Sequence, residues 1–461
     1  MKPLFQAVAP TSTVSSSAQS ASDVTTYPSY FTGLVCKECG HQAGKKPLAV
    51  CPDCFGPLEA DYDYEAMKGR VTRESIEAGP RNLWRYRDFL PVDGAPRCGE
   101  HSGLTPLRRA DRLAKYLGVN ELWIKDDSAN YPTWSYKERV VSVAITKAAE
   151  FGFQTVACAS TGNLANSVAA HAASAGIDCV VLIPHDLEKG KVLGSLVFGP
   201  RVVRVKGNYD DVNRLCCEIA DAYGWAIVNV NLRPYYTEGA KTFGYEIAEQ
   251  LGWRLPQHTI SPVAGGTILP KIHKAYQEFV KLGLVEDTGY KIHAAQAAGC
   301  DPVAQAVYRG DDVIEPQKPN TIARSIAIGN PADGYRVCAS VAQTGGWAAS
   351  ASDREIIDAI ELLAKLEGTW TEPAGGTTLA CAIKLINSGH ISRDESVCIC
   401  ITGNGMKTHE AIEGRVTVPE AIAPSLDAFN ELLGRVESKL DKTKVEIEVT
   451  KYLPSDHDAA I

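Results

Sequence analysis

From His101 onward the chain alternates short apolar runs with stretches of helical period, and this alternation leaves few folds open to it. Residues 122–125, 155–159, 179–184, 201–205 and 226–229 read as strands. Helices are expected between them over 138–151, where Val141, Ala144, Ile145 and Ala148 share one face, and over 163–175, 187–198 and 210–223. The strands are nearly continuous apolar runs, the signature of a parallel sheet covered on both faces by helices. A second open α/β lobe is expected between Lys241 and Gly405, with strands over 258–263, 291–296 and 396–401. In such sheets a ligand sits beyond the carboxyl ends of the strands, commonly between lobes.

Length sets the number of cores. At 461 residues and 45% hydrophobic composition the chain exceeds what one core holds, roughly 250 to 300 residues, so two large lobes and a small appendage are expected. A net charge of −8, with 47 basic and 55 acidic residues, supplies no basic stripe and argues against nucleic acid as a partner. No uncharged apolar run is long enough for a membrane span. Residues 1–30 are rich in Ser and Thr and lack an apolar h-region, so they read as a disordered lead rather than a secretory signal.

Ten of the fourteen cysteines lie scattered through apolar or helical text, where a free thiol acts as a small hydrophobe, and this suits a reducing, cytoplasmic compartment. The other four form two knuckles, Cys36-x2-Cys39 and Cys51-x2-Cys54, eleven residues apart. That spacing folds back to set four thiolates around a structural zinc, with no open position for catalysis. The alternative is a metal-free ribbon held by packing of Tyr62 and Tyr64. Residues 31–66 are therefore read as a zinc-ribbon-like module, 67–240 as an N-terminal α/β lobe, 241–414 as a C-terminal α/β lobe and 415–461 as an extension.

Lys137 opens a helix in Ser135-Tyr136-Lys137-Glu138-Arg139, near the turn Ser160-Thr161-Gly162-Asn163, and is a candidate Schiff-base amine. Gly265-Gly266-Thr267, before a helix starting near Ile268, has the composition of a phosphate cradle. Asn163 suits a ring hydroxyl, and Thr402, after the strand over 397–401, offers a neutral hydroxyl to a ring nitrogen. Singly these are a surface lysine, a tight turn, an N-cap and a β-turn. Together, in this order, they point to pyridoxal 5'-phosphate.

With CPDCFGPLEADYDY in the head, then NLRPYYTEGAKTFGYEIAEQLGW, PNTIARSIAIGNPADG, PAGGTT and ITGNGMKTHEA, the chain resembles threonine synthases over nearly its whole length. These are fold-type II pyridoxal-phosphate enzymes, tryptophan synthase beta-like, with two open-sheet α/β lobes. The resemblance implies that Lys137 holds the cofactor aldehyde, Asn163 contacts the ring oxygen, Gly265, Gly266 and Thr267 bind its phosphate, and Thr402 faces the pyridine nitrogen. It also implies a small phosphorylated amino acid as partner, O-phosphohomoserine, which loses phosphate from Cγ before water adds at Cβ to give threonine, and a homodimer as the working form. Donors for the substrate phosphate would be Ser160, Thr161, Arg233 and Lys241, with Arg139 a further possibility, although an arginine there is often a lobe-to-lobe salt bridge.

The family pattern around the lysine usually reads NPT-(Gly/His/Leu)-SFKDR, against Asn130-Tyr131-Pro132-Thr133-Trp134-Ser135-Tyr136-Lys137-Glu138-Arg139 here. Ala264-Gly265-Gly266-Thr267 stands where Ala-Ser-Gly-Ser is usual. Trp134 is then a substrate-contacting ring, and the departures leave open a divergent enzyme of β- or γ-replacement or elimination on a related amino acid. Retention of Lys137, Asn163 and Thr402 argues against a third possibility, a non-catalytic regulatory protein.

Overall fold

The computed structural model describes residues 29–160, 162–185, 189–206, 209–416, 419 and 421–442. The expected lead over 1–28, Thr161 and a strand-like segment at 445–449 lie outside the described residues. Strands β1 (Phe31–Cys36), β2 (Gln42–Gly44) and β3 (Leu58–Tyr62) form an antiparallel ribbon in the order β2-β1-β3. Strands β4 (Leu107–Arg109), β5 (Glu121–Asp126), β6 (Thr155–Ala159), β7 (Asp178–Pro184), β8 (Arg201–Val205), β9 (Ala226–Ile227), β10 (His258–Pro262), β11 (Lys291–Ala297), β12 (Ala348–Ala351) and β13 (Ser396–Ile401) build two larger sheets. One has the order β12-β11-β10-β13-β5-β4 and is parallel except for β4 against β5; the other, β8-β7-β6-β9, is parallel throughout.

This topology corrects the division of lobes at residue 240. β5 pairs with β13 from Glu121 opposite Ser396 to Asp126 opposite Ile401, so β4 and β5 belong to the larger sheet with strands from the second half of the chain. Strand composition records that both faces are covered, not which strand lies alongside. The smaller sheet takes its strands only from between Thr155 and Ile227.

The helix Lys137–Glu150 was expected to be apolar on one face, yet 138–148 is buried without a break. Its polar positions are therefore internal and must be paired. Arg139 is fully buried: Nε donates to Asp127 at 2.7 Å, and its two terminal nitrogens donate to Glu246 at 2.5 and 2.7 Å. Lys125 adds a second cation to Glu246 at 2.6 Å. Burial pushes the Glu246 carboxyl up, but Arg139 and then Lys125 outweigh it and hold the group at about 2. Glu138 faces the other way, accepting from Thr133, from Ser167 at 2.8 Å and from His171 at 2.9 Å. At Gly239 the following chain crosses this helix so closely that a Cβ would lie 2.4 Å from the Arg139 carbonyl oxygen. The segment Arg233–Glu238 is thereby pressed against the start of the Lys137 helix.

Beyond this frame the expected helix 163–175 is present with those bounds, and the tail carries Leu426–Lys442. Among the described residues no helix is long and apolar enough to cross a membrane. Breaking the buried pair from one side leaves uncompensated charge: Arg139→Met should cost about 3 to 5 kcal/mol of stability, read by chemical denaturation. Loss of less than ~1 kcal/mol would show that Asp127 and Glu246 find other partners.

Candidate active site

Three backbone segments meet in front of Lys137. Tyr136 N–H donates to the Thr402 carbonyl at 2.8 Å, Ser135 bridges Gly403, and Asn404 N–H donates to the Trp134 carbonyl at 3.2 Å. Thr371 in turn bridges Asn404, and Glu372 N–H donates to the Gly403 carbonyl at 3.1 Å. Lys137 and Thr402 are thus brought together by main-chain pairing, and Thr402 is buried. Gly403 has no room for a side chain, since a Cβ would lie 2.5 Å from a Glu372 carboxylate oxygen. Trp134 enters this turn with φ of 60°, in the left-handed region where glycine is free and a bulky residue is strained.

Asn163 opens its helix, and its amide is engaged on both sides. Nδ2 donates to Glu372 at 2.9 Å, while Oδ1 accepts from Lys407 Nζ at 2.6 Å. Lys407 also donates to the Thr133 carbonyl at 2.6 Å. Burial lowers the Lys407 pKa, although Glu372 and Glu138 pull it back. Lys407 and Glu372 were not assigned from sequence. The signal was adjacent: Lys407 ends the ITGNGMK run and Glu372 precedes PAGGTT.

Across the cleft β10 ends in the loop Val263–Thr267, from which the fourteen-residue helix Ile268–Lys281 departs with no side-chain cap at its amino end. Its free N–H groups and dipole suit an anion. Gly265 has nothing within 4 Å of a built Cβ, so the cradle is open at that point. Gly266 has φ of 91° and would bring a Cβ to 2.7 Å from Asp333, whose N–H donates to the Gly265 carbonyl at 3.0 Å. Arg233 pairs with Asp333 at 2.5 Å and so stands beside the loop. An open glycine cradle at a helix start, an accessible amine and a buried neutral hydroxyl fit pyridoxal phosphate, with Gly265, Gly266 and Thr267 at its phosphate. Bound there, the cofactor would serve as an electron sink for the substrate's α-carbon.

Two expected phosphate donors stand differently. Lys241 is fully buried between Glu238 at 2.8 Å and Glu278 at 3.0 Å, so it is no ligand for a substrate phosphate and its place is structural. Arg139, likewise internal, is the salt bridge described above. Ser160 lies at the end of β6, half-buried, with its N–H on the Leu182 carbonyl at 3.3 Å. The Trp134 side chain is exposed.

The cysteine head is assembled. Cys36 and Cys54 sulfurs lie 3.4 Å apart, Cys39 and Cys51 sulfurs 3.7 Å, and all four fall within 4.8 Å of one another. Tetrahedral zinc with Zn–S bonds near 2.3 Å sets its sulfurs about 3.8 Å apart, so the four thiols fit a structural zinc.

A family model described as pyridoxal-phosphate dependent enzyme matches residues 99–403, and the chain belongs to that family. Within it the chain is a fold-type II enzyme of the threonine-synthase-like group, which carries out an elimination or substitution reaction on the cofactor. It is 36% identical to the threonine synthase of Methanocaldococcus jannaschii over 86% of this chain and 98% of the relative. Identity to the threonine synthase of Methanosarcina acetivorans is 36% over 87% and 98%. The fold also matches a solved structure of maize serine racemase, with a TM-score of 0.55 at 22% identity over 65% of this chain and 89% of that one.

Borohydride reduction of the holoenzyme followed by peptide mapping should label Lys137, and Lys137→Ala should lose the visible absorption band; a label on another lysine refutes the assignment. Elemental analysis should find one zinc per chain, and Cys51→Ser with Cys54→Ser should lower the melting temperature. An unchanged melting curve would mean that the ribbon stands without metal.

Proposed function

We propose that this enzyme replaces or eliminates a β- or γ-substituent, an oxygen leaving group, on a small amino acid related to O-phosphohomoserine but distinct from it. The observation carrying this reading is that four candidate cations are already engaged within the protein. Arg233 is held by Asp333, Arg139 and Lys241 by buried carboxylates, and Lys407 by Asn163 and a carbonyl. Strong phosphate recognition rests on charge-assisted donors. The polar partner of the Lys137 amine is instead a neutral phenol, Tyr236, at 3.2 Å. Trp134, three residues before Lys137, is exposed. Free thiols throughout the described chain suit work in the cytoplasm.

A second reading, conversion of O-phosphohomoserine to threonine, is favoured by the names of the relatives and the span over which they match. Assaying wild type and Trp134→Gly with O-phosphohomoserine, while following threonine and phosphate together, separates the two. The divergent reading expects little or no threonine from wild type and more from Trp134→Gly, where the ring and its backbone strain are both removed. Equimolar threonine and phosphate at full turnover from wild type would establish the second reading.

A further inference from the structure

The catalytic amine stands between two phenols. Lys137 Nζ lies 5.3 Å from the centre of the Tyr136 ring and 5.8 Å from that of Tyr236, with the Tyr236 hydroxyl at 3.2 Å. Both rings are buried. Tyr236 is carried by Arg233–Glu238, which the close crossing at Gly239 presses onto the Lys137 helix. Tyr136 is fixed through its N–H on Thr402 and its ring against Phe243, at 6.4 Å between centroids.

The Tyr136 hydroxyl is buried and has no hydrogen-bond partner. Such a group is costly, and one retained beside a reactive amine is aimed at charge absent from the resting state. The charged and titratable groups nearest it are Tyr236, Asp127, Arg139 and Asp333; burial first, then Tyr236, raises its pKa, so it remains a donor. Phenylalanine is the usual residue at this position of the family pattern and would fill the same space with no donor.

We propose that Tyr236 is the acid that protonates the leaving oxygen, and that the unpartnered Tyr136 hydroxyl is a second buried donor on a ring beside the same amine. The inference rests on Lys137 as the reactive amine and on an oxygen leaving group. Lys137 takes the proton from Cα, and the electrons of that C–H bond form the new C=C bond. The C–O bond breaks with its pair on the leaving oxygen, which receives the Tyr236 proton. The ammonium of Lys137 returns a proton to Tyr236, and both groups are restored. With a γ-leaving group the same hand-off starts from Cβ. Tyr236 touches the Lys137 amine and is catalytic; Tyr136 flanks the same amine and is a positioning residue.

The test compares leaving groups that need a proton with one that does not. Holoenzymes of wild type, Tyr236→Phe and Tyr136→Phe are assayed for elimination from O-phosphoserine, O-phosphohomoserine, serine and β-chloroalanine, the last releasing chloride unprotonated. Tyr236→Phe should lose about 100-fold or more on the oxygen leaving groups while staying within about threefold of wild type on β-chloroalanine. Tyr136→Phe should lose about tenfold on the former alone, with no fall in melting temperature, and borohydride should still label Lys137 in both variants. Equal losses on oxygen and chloride leaving groups, or no loss on either, overturn the proposal. If wild type acts on neither phosphate ester but eliminates from serine, phosphate esters are excluded as substrates and the serine-to-chloroalanine ratio still decides the role of Tyr236. Elimination of chloride with no elimination from any oxygen substrate overturns the role outright.

Discussion

The buried bridge from Arg139 to Asp127 and Glu246 fixes the geometry on which the rest of the molecule depends. Charges taken wholly out of water tolerate little misplacement, because each loses several kcal/mol of solvation that only close pairing restores. Arg139 therefore locks the Lys137 helix at once to the end of β5, through Asp127, and to the helix Lys241–Gln250, through Glu246. Three consecutive residues then face three neighbours. Lys137 meets Tyr236, Glu138 ties in the helix that begins with Asn163, and Arg139 anchors the larger body. The Lys137 backbone is thus held by the residues on its carboxyl side, while its amine meets Tyr236.

A second ionic cluster joins the cysteine head to the same region. Tyr62 donates to Glu238 at 2.9 Å and Tyr64 to Glu278 at 2.7 Å, the two carboxylates that hold Lys241. Lys271 and Lys274 also reach Glu238, at 2.5 and 3.1 Å. On the ribbon side burial pushes the Glu59 carboxyl up, but Lys271, Lys274 and Arg336 outweigh it and hold the group at about 2. Glu238 ends the segment that carries Arg233 and Tyr236. The ribbon is thus part of the support of the active site, and Tyr62 and Tyr64 are its points of attachment as well as its packing.

What could be read from sequence follows from what each signal encodes. Strand and helix periods gave the Asn163–Ala175 helix and the strands β6, β8 and β13 with their bounds, because burial of one face leaves a period in the text. The assignment of β5 to the larger sheet was illegible, since its partner β13 lies more than two hundred residues away and both are simply apolar. Among the candidate site residues, Lys137 and Thr402 were expected from the turns that carry them, and main-chain pairing brings their segments together. Lys241 was misleading: a lysine one turn from other polar residues reads alike whether it meets a ligand or a buried carboxylate. Glu372 and Lys407 act on Asn163 across 209 and 244 residues of sequence, a pairing no local pattern records.

The departures in the segment 131–138 have a common physical sense. Trp134 takes a left-handed backbone that a glycine would adopt freely, at a cost of order 1 to 3 kcal/mol, and its ring stays exposed. Tyr136 keeps a buried hydroxyl without a partner, where a phenylalanine would remove a penalty of about 1 to 3 kcal/mol. Neither residue improves the fold. Two unfavourable terms within three residues, both close in sequence to Lys137, fit the substrate selection proposed above. Arg233 is consistent with this, since its guanidinium serves the loop through Asp333 rather than standing ready for a ligand. On the reading proposed above, aromatic walls and phenol hydroxyls would distinguish a substrate by shape and by where charge forms during the reaction rather than by the charge it brings.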